Sequence, residues 1–148
     1  THSIINRRTL KQMELAMENS DEVRFQHYFI SLVEQVAKPL FVDSCEEARS
    51  YGLDCNVDLD LDEDGHPRLR LEVGEPGGEK SHYSLLAIPG ERVIHRQYLA
   101  GAQEWHSLPA ELASINPMVL DSELAVFFRR AFDLRLEGPE RRHPAGFW

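Results

Sequence analysis

The stretch CNVDLDLDEDGHPRLRLEV, Cys55 to Val73, is where the period of the chain changes to two, and its reading decides the fold. Cys55, Val57, Leu59 and Leu61 alternate with Asn56, Asp58, Asp60 and Asp62. Beyond a turn, Leu69, Leu71 and Val73 alternate with Arg68, Arg70 and Glu72. Such alternation predicts two half-buried antiparallel strands sharing one apolar face. Keeping that face intact sets the register. A two-residue Asp64-Gly65 loop would put Leu61 against Arg68, whereas a three-residue Glu63-Asp64-Gly65 loop keeps apolar opposite apolar and gives Gly65 the left-handed position. Leu59 is then expected opposite Leu69 and Val57 opposite Leu71. On the other face Asp60 meets Arg68 and Asp58 meets Arg70.

Toward the C-terminus, Gly74 to Lys80 reads as a connection, and His82 to Ile88 with Glu91 to Tyr98 as a second hairpin about Pro89-Gly90, which makes a four-stranded antiparallel meander. Pairing about Pro89-Gly90 sets Leu86 opposite Val93, Ser84 opposite His95 and His82 opposite Gln97. The opposite side, with Tyr83, Leu85, Ala87, Ile94 and Tyr98 beside Arg92 and Arg96, is expected to face the core. Leu99 to Ser107 reads as loop and Pro109 to Ile115 as a short helix. A long helix opens at Asn116-Pro117 or Asp121, aligns Leu120, Leu124, Phe127, Phe128, Ala131 and Leu134, and stops by Gly138-Pro139. Residues 139–148 form a tail whose Phe147 and Trp148 are expected to pack on the domain.

Toward the N-terminus, Leu10, Met13 and Met17 predict a narrow amphipathic helix over Thr9 to Glu18. Ser20 then caps a stronger one over Asp21 to Lys38, with Phe25, Phe29, Leu32, Val33 and Val36 on one face and Pro39 as its end. Asp43 or Ser44 starts a short third helix, since Ser44 and Glu47 have capping-box spacing and Gly52 suits its C-terminus. The sum is one α+β domain over residues 1–148. Two to three N-terminal helices and the C-terminal helix cover the same face of the sheet.

Composition narrows the function. Of the net charge of −9, all resides in Asp21 to Asp64, where twelve acids face only Arg24, Lys38 and Arg49. This balance is unsuited to a nucleic-acid backbone and suits a protein partner with a basic surface. No run nears the length of a membrane span and the basic start lacks an apolar segment behind it, so a soluble, cytoplasmic protein is expected. Cys45 and Cys55 fit no metal or redox spacing and read as reduced thiols. No phosphate loop, dinucleotide fingerprint or HExxH occurs, and no cofactor is expected.

Three constellations could carry chemistry. Asp60, Asp62, Asp64 and Gly65 open like a calcium loop, but the twelfth position is Leu71, Pro67 intrudes and the flanks alternate as strands, so a hairpin with a polar outer face is the simpler reading. The same acidic stripe could mimic a nucleic-acid backbone, but Arg68 and Arg70 neutralise it. His82, Ser84 and His95 gather on one face in the expected register, which would suit a metal, a small ligand or a serine nucleophile. The favoured function is a small acidic, non-enzymatic protein-binding module of adaptor, inhibitor, immunity or chaperone type. It would bind through Asp58, Asp60, Asp62, Arg68 and Arg70 on the helix-free sheet face or through a sheet edge, and a homodimer is one form this could take. The alternative is a metal- or small-ligand-binding domain, or a hydrolase, with its site around His82, Ser84 and His95.

Overall fold

A computed structural model describes residues 21–146. The expected helix over Thr9 to Glu18, and the two terminal aromatics Phe147 and Trp148, lie outside the described residues. The described chain is α+β: a long helix (α1, residues 21–50), a five-stranded antiparallel sheet, and two C-terminal helices.

The helix does not end at Pro39. It passes through a π-helical turn, Val33–Ala37, in which the Lys38 N–H reaches back five residues to the Val33 carbonyl, and continues as Lys38–Ser50. A proline inside a regular α-helix lacks its donor and strikes the carbonyl four residues back. The wider turn just before it removes that conflict, and Pro39 stands in the first turn of the segment that follows. The separate third helix is therefore absorbed into α1. Gly52, at φ +87°, does supply the left-handed residue just past its end. Phe25, Phe29, Val33, Ala37, Phe41, Cys45 and Ala48 form one buried stripe along this helix.

The strands are β1 (Asp54–Leu61), β2 (Pro67–Gly74), β3 (Ser81–Ile88), β4 (Arg92–Leu99) and β5 (Glu104–Ala110), neighbours in chain order. The first hairpin has the expected register throughout, with Leu59 opposite Leu69, Asp60 opposite Arg68 and Gly65 at φ +83°. The second is displaced by one residue. Its loop has three residues, with both Gly90 and Glu91 left-handed, so Ile88 pairs with Arg92, Leu85 with His95, Ser84 with Arg96 and His82 with Tyr98. A one-residue shift turns every β4 side chain to the other face. Val93, His95, Gln97 and Leu99 point inward with Tyr83, Leu85 and Ala87, while Ile94, Arg96 and Tyr98 point outward. Most of the expected loop at Leu99 to Ser107 is instead the turn into β5 and its first residues, a fifth strand, and the expected short helix is the end of β5 followed by a 3₁₀ turn, Leu112–Ser114.

The second long helix, α2 (Pro117–Phe132), has the expected proline start. Asn116 caps it by accepting from the Val119 N–H at 3.0 Å, and Asp133 ends it at φ 51°. Its Leu120, Leu124, Phe127 and Phe128 join the α1 stripe against the inner sheet face, where Tyr83 stacks between Phe41 at 5.0 Å and Phe127 at 6.2 Å. Part of the expected tail is a further short helix, α3 (Glu137–Arg142), latched to both long helices. Arg142 forks onto the fully buried Asp121 carboxylate of α2 at 2.9 and 2.8 Å and onto Asp43 of α1 at 2.8 Å, and His143 reaches Asp121 at 2.8 Å. No helix of the described residues is long and apolar enough to cross a membrane.

Candidate functional site

Both long helices lie on the inner face, so the outer face of the sheet is bare among the described residues. The cross-strand pairings order it into three rows. Asp58, Arg70, Ser84, Arg96 and Ser107 form the middle row. On one side lie Asp60, Arg68, Leu86, Ile94 and Pro109, and on the other Asn56, Glu72, His82, Tyr98 and Trp105. The small side chain of Ser84 thus stands between two arginines, with an apolar row on one flank and aromatic rings on the other. The result is a hollow of about 230 Å³ lined by Arg68, Arg70, His82, Ser84, Arg96 and Trp105, with Asp62 and Glu63 at one end.

The rings are mutually packed, Tyr98 on Trp105 at 4.7 Å and His82 on Tyr98 at 5.1 Å. Burial, then the neighbouring Arg70 guanidinium, hold the His82 pKa below its ordinary value, so the ring is neutral at pH 7. Arg68 pairs with Asp60 as expected, at 3.1 and 2.9 Å, and this contact raises its pKa. Arg70 stands opposite Asp58 but turns its guanidinium to Glu72, at 2.7 Å, and its buried Nε has no hydrogen-bond partner. Arg96 and the Ser84 hydroxyl make no hydrogen bond or ion pair with any described residue, although Ser84 is only 4% exposed.

The expected cluster of His82, Ser84 and His95 does not exist. His82 and Ser84 share the outer hollow, but the one-residue shift places His95 on the inner face, 2% exposed. There its ring closes a hydrogen-bond chain. Tyr83 Oη lies 2.7 Å from Nδ1, Ser114 Oγ lies 2.8 Å from Nε2, and the Ser114 hydroxyl donates to the Glu111 carbonyl at 2.6 Å. A carbonyl can only accept, so Ser114 receives the Nε2 proton and Nδ1 accepts from Tyr83. Desolvation lowers the His95 pKa to about 4, which keeps the imidazole neutral. A histidine that donates to a serine cannot take that serine's proton, so this pair holds the fold together and activates no nucleophile.

The hairpin tip brings ligand atoms of Asp62, Asp64 and His66 within 4.8 Å of one another, but the Asp62 carboxylate already builds the turn with the His66 ring beside it. Asp62 accepts from the backbone N–H groups of Asp64 at 3.0 Å and His66 at 2.8 Å. Desolvation pushes its pKa up, and these two backbone donors together with the His66 ring outweigh that effect and hold the carboxyl below its usual value. Asp60 of the calcium-like run is occupied by Arg68. Cys45 sits mid-helix, buried against Cys55, whose thiol burial keeps protonated. A cleft of about 800 Å³ between the start of α1, the β3–β4 turn and the end of β5 with the residues after it is lined by Arg24 and Arg92 beside Glu91 and Glu111 and gathers no convergent polar set.

Trp105 lies in a stretch that reads as loop, and Arg96 and Tyr98 are the site residues that the alternation of the second hairpin conceals. Their one signal is Gly90-Glu91, compatible with a three-residue turn. No known protein family, curated protein or solved structure matches the chain.

Proposed function

We propose that the protein is a small non-enzymatic binding module that engages a protein partner through the bare sheet face and its β5 edge. The observation that carries this reading is β5 itself. It is an edge strand exposed along nearly its whole length, presenting Trp105 of the aromatic row at 58% exposure on the outer face and Leu108, opposite His95, at 50% on the inner side. Long edges bearing apolar side chains invite pairing with another chain, and folded proteins usually blunt them with charge. The opposite edge is blunted in that way, since β1 carries Asp54, Asp58 and Asp60, whereas on β5 only Glu104 is charged and Pro109 comes near the end. A strand added at β5 would extend the sheet and carry its flanking side chains over the hollow.

The face is graded in charge. Asp58, without an ion pair among the described residues, offers a basic group of the partner a contact at the β1 end, and the arginines stand in the middle. A second copy of the chain is one candidate for the added strand. The test places a photoreactive aromatic residue at Trp105 and, for comparison, at the exposed Glu34 on α1, in the native host. Adducts to a defined partner, or to a second copy, from position 105 but not from position 34 are expected. Equal yields from both positions, or none from position 105, would refute the reading.

A further inference from the structure

We infer that the hollow around Ser84 is a carboxylate-binding site that takes an Asp or Glu side chain of a bound peptide. This rests on the reading of the bare face as a binding surface and names the chemistry recognised there.

Three observations converge. Arg70 and Arg96 flank Ser84 in one cross-strand row, so two guanidiniums reach over a floor too small to fill the space between them. The donors there lack acceptors. Arg70 Nε is buried and unsatisfied, while the Ser84 hydroxyl, which is not fully buried, and Arg96 have neither hydrogen bond nor ion pair with the described residues. A buried donor without an acceptor costs free energy that a ligand oxygen recovers on binding. Finally, Asp60 is engaged with Arg68 and Glu72 with the Arg70 Nη2, which leaves the Arg70 Nε and the Arg96 guanidinium as the donors still open in the hollow.

The geometry selects the anion. A guanidinium fork matches a planar carboxylate, and the Arg96 fork together with the Arg70 Nε–H and the Ser84 hydroxyl between them matches its two oxygens. A dianionic phosphate would meet the same donors at a greater cost, because Asp62 and Glu63 line one end of the hollow. The Tyr98 and Trp105 rings are placed to cover the methylenes of the acidic side chain and apolar neighbours along the peptide.

The test is a titration of the full ¹⁵N-labelled chain, at constant ionic strength in chloride, with the capped peptide acetyl-Leu-Glu-Leu-amide, its Gln counterpart and inorganic phosphate. The readout is the Arg70 and Arg96 Nε–Hε cross-peaks. The Glu peptide is expected to shift both saturably and to bind about tenfold tighter than the Gln peptide, the difference that one charge-assisted hydrogen bond supplies. Arg96→Gln, on the outer surface, and Ser84→Ala should each weaken binding by about fivefold to tenfold while the rest of the spectrum is retained. Equal affinity for the Glu and Gln peptides, tighter binding of phosphate, or shifts that never saturate would overturn the assignment. Such a result with partner adducts still forming at position 105 would remove the carboxylate site and leave the binding surface standing.

Discussion

On the inner face of β4, His95 has both ring nitrogens matched and Gln97 donates to Glu123 at 3.1 Å while accepting from Arg130 at 3.5 Å. On the outer face, one residue along, Arg96 has no partner among the described residues. Both groups are polar and both stand over a sheet, and a hollow borders each, about 140 Å³ beside His95 and Gln97 and about 230 Å³ around Ser84, yet the inner polar atoms are matched within the fold and the outer donors are not. Polar groups whose donors and acceptors are exhausted inside the fold specify and stabilise it. Those left with unused donors have a place for something the chain does not itself supply. The distinction separates the histidine that resembles catalytic machinery from the arginines that resemble ordinary surface charge.

Breaking the closed side should cost most. Arg142→Ala would leave the fully buried Asp121 carboxylate without its guanidinium fork and release α3 from Asp43, an expected loss of about 3 kcal/mol in a urea unfolding curve. Acid should act through His95 on a similar scale. Its folded pKa of about 4 lies below the unfolded value of 6.5, so the unfolded chain binds the extra proton. The contribution is intact above pH 6.5 and is lost as pH falls toward 4, by about 3 kcal/mol at that end. His95→Gln should flatten this slope in a series of unfolding midpoints taken between neutral pH and the folded pKa.

Removing the ring altogether with His95→Ala should cost about 2–3 kcal/mol at neutral pH, since it opens a void, strands the buried Tyr83 Oη and takes away the donor to Ser114 Oγ. It should leave peptide binding on the outer face nearly unchanged. Arg96→Gln inverts the pattern, shifting stability by no more than about 0.5 kcal/mol while weakening the carboxylate contact. Equal losses of stability from these two substitutions would dissolve the contrast between the faces.

How far the fold is legible in the sequence follows the same division. The first hairpin is readable residue by residue because Leu59, Leu69, Val57 and Leu71 tolerate no other register without mixing apolar and acidic faces. In the second, Ile94 and Tyr98 on one side of β4 and Val93 and His95 on the other offer two half-apolar faces. Alternation alone therefore cannot choose, and the three-residue loop with two left-handed residues decides. β5 is hidden for another reason: an exposed edge strand has no buried face, and Glu104 to Ala110 shows no clean alternation. Pro39 misleads because a single π-helical turn lets a helix carry it. At the site, Asp58, Asp60, Arg68, Arg70, His82 and Ser84 do share the outer face. The residues that give the hollow its chemistry, Arg96 and Trp105, emerge only from pairings across β4 and β5.

The division of the sheet into a closed and an open side is tested most directly by the long-range ¹H–¹⁵N histidine spectrum followed downward from neutral pH. His95 should remain in a single Nε2–H tautomer with Nδ1 unprotonated until the pH nears 4. A His95 ring that titrates near the ordinary value of 6.5, or that carries its proton on Nδ1, would contradict the register and the closed inner face built on it.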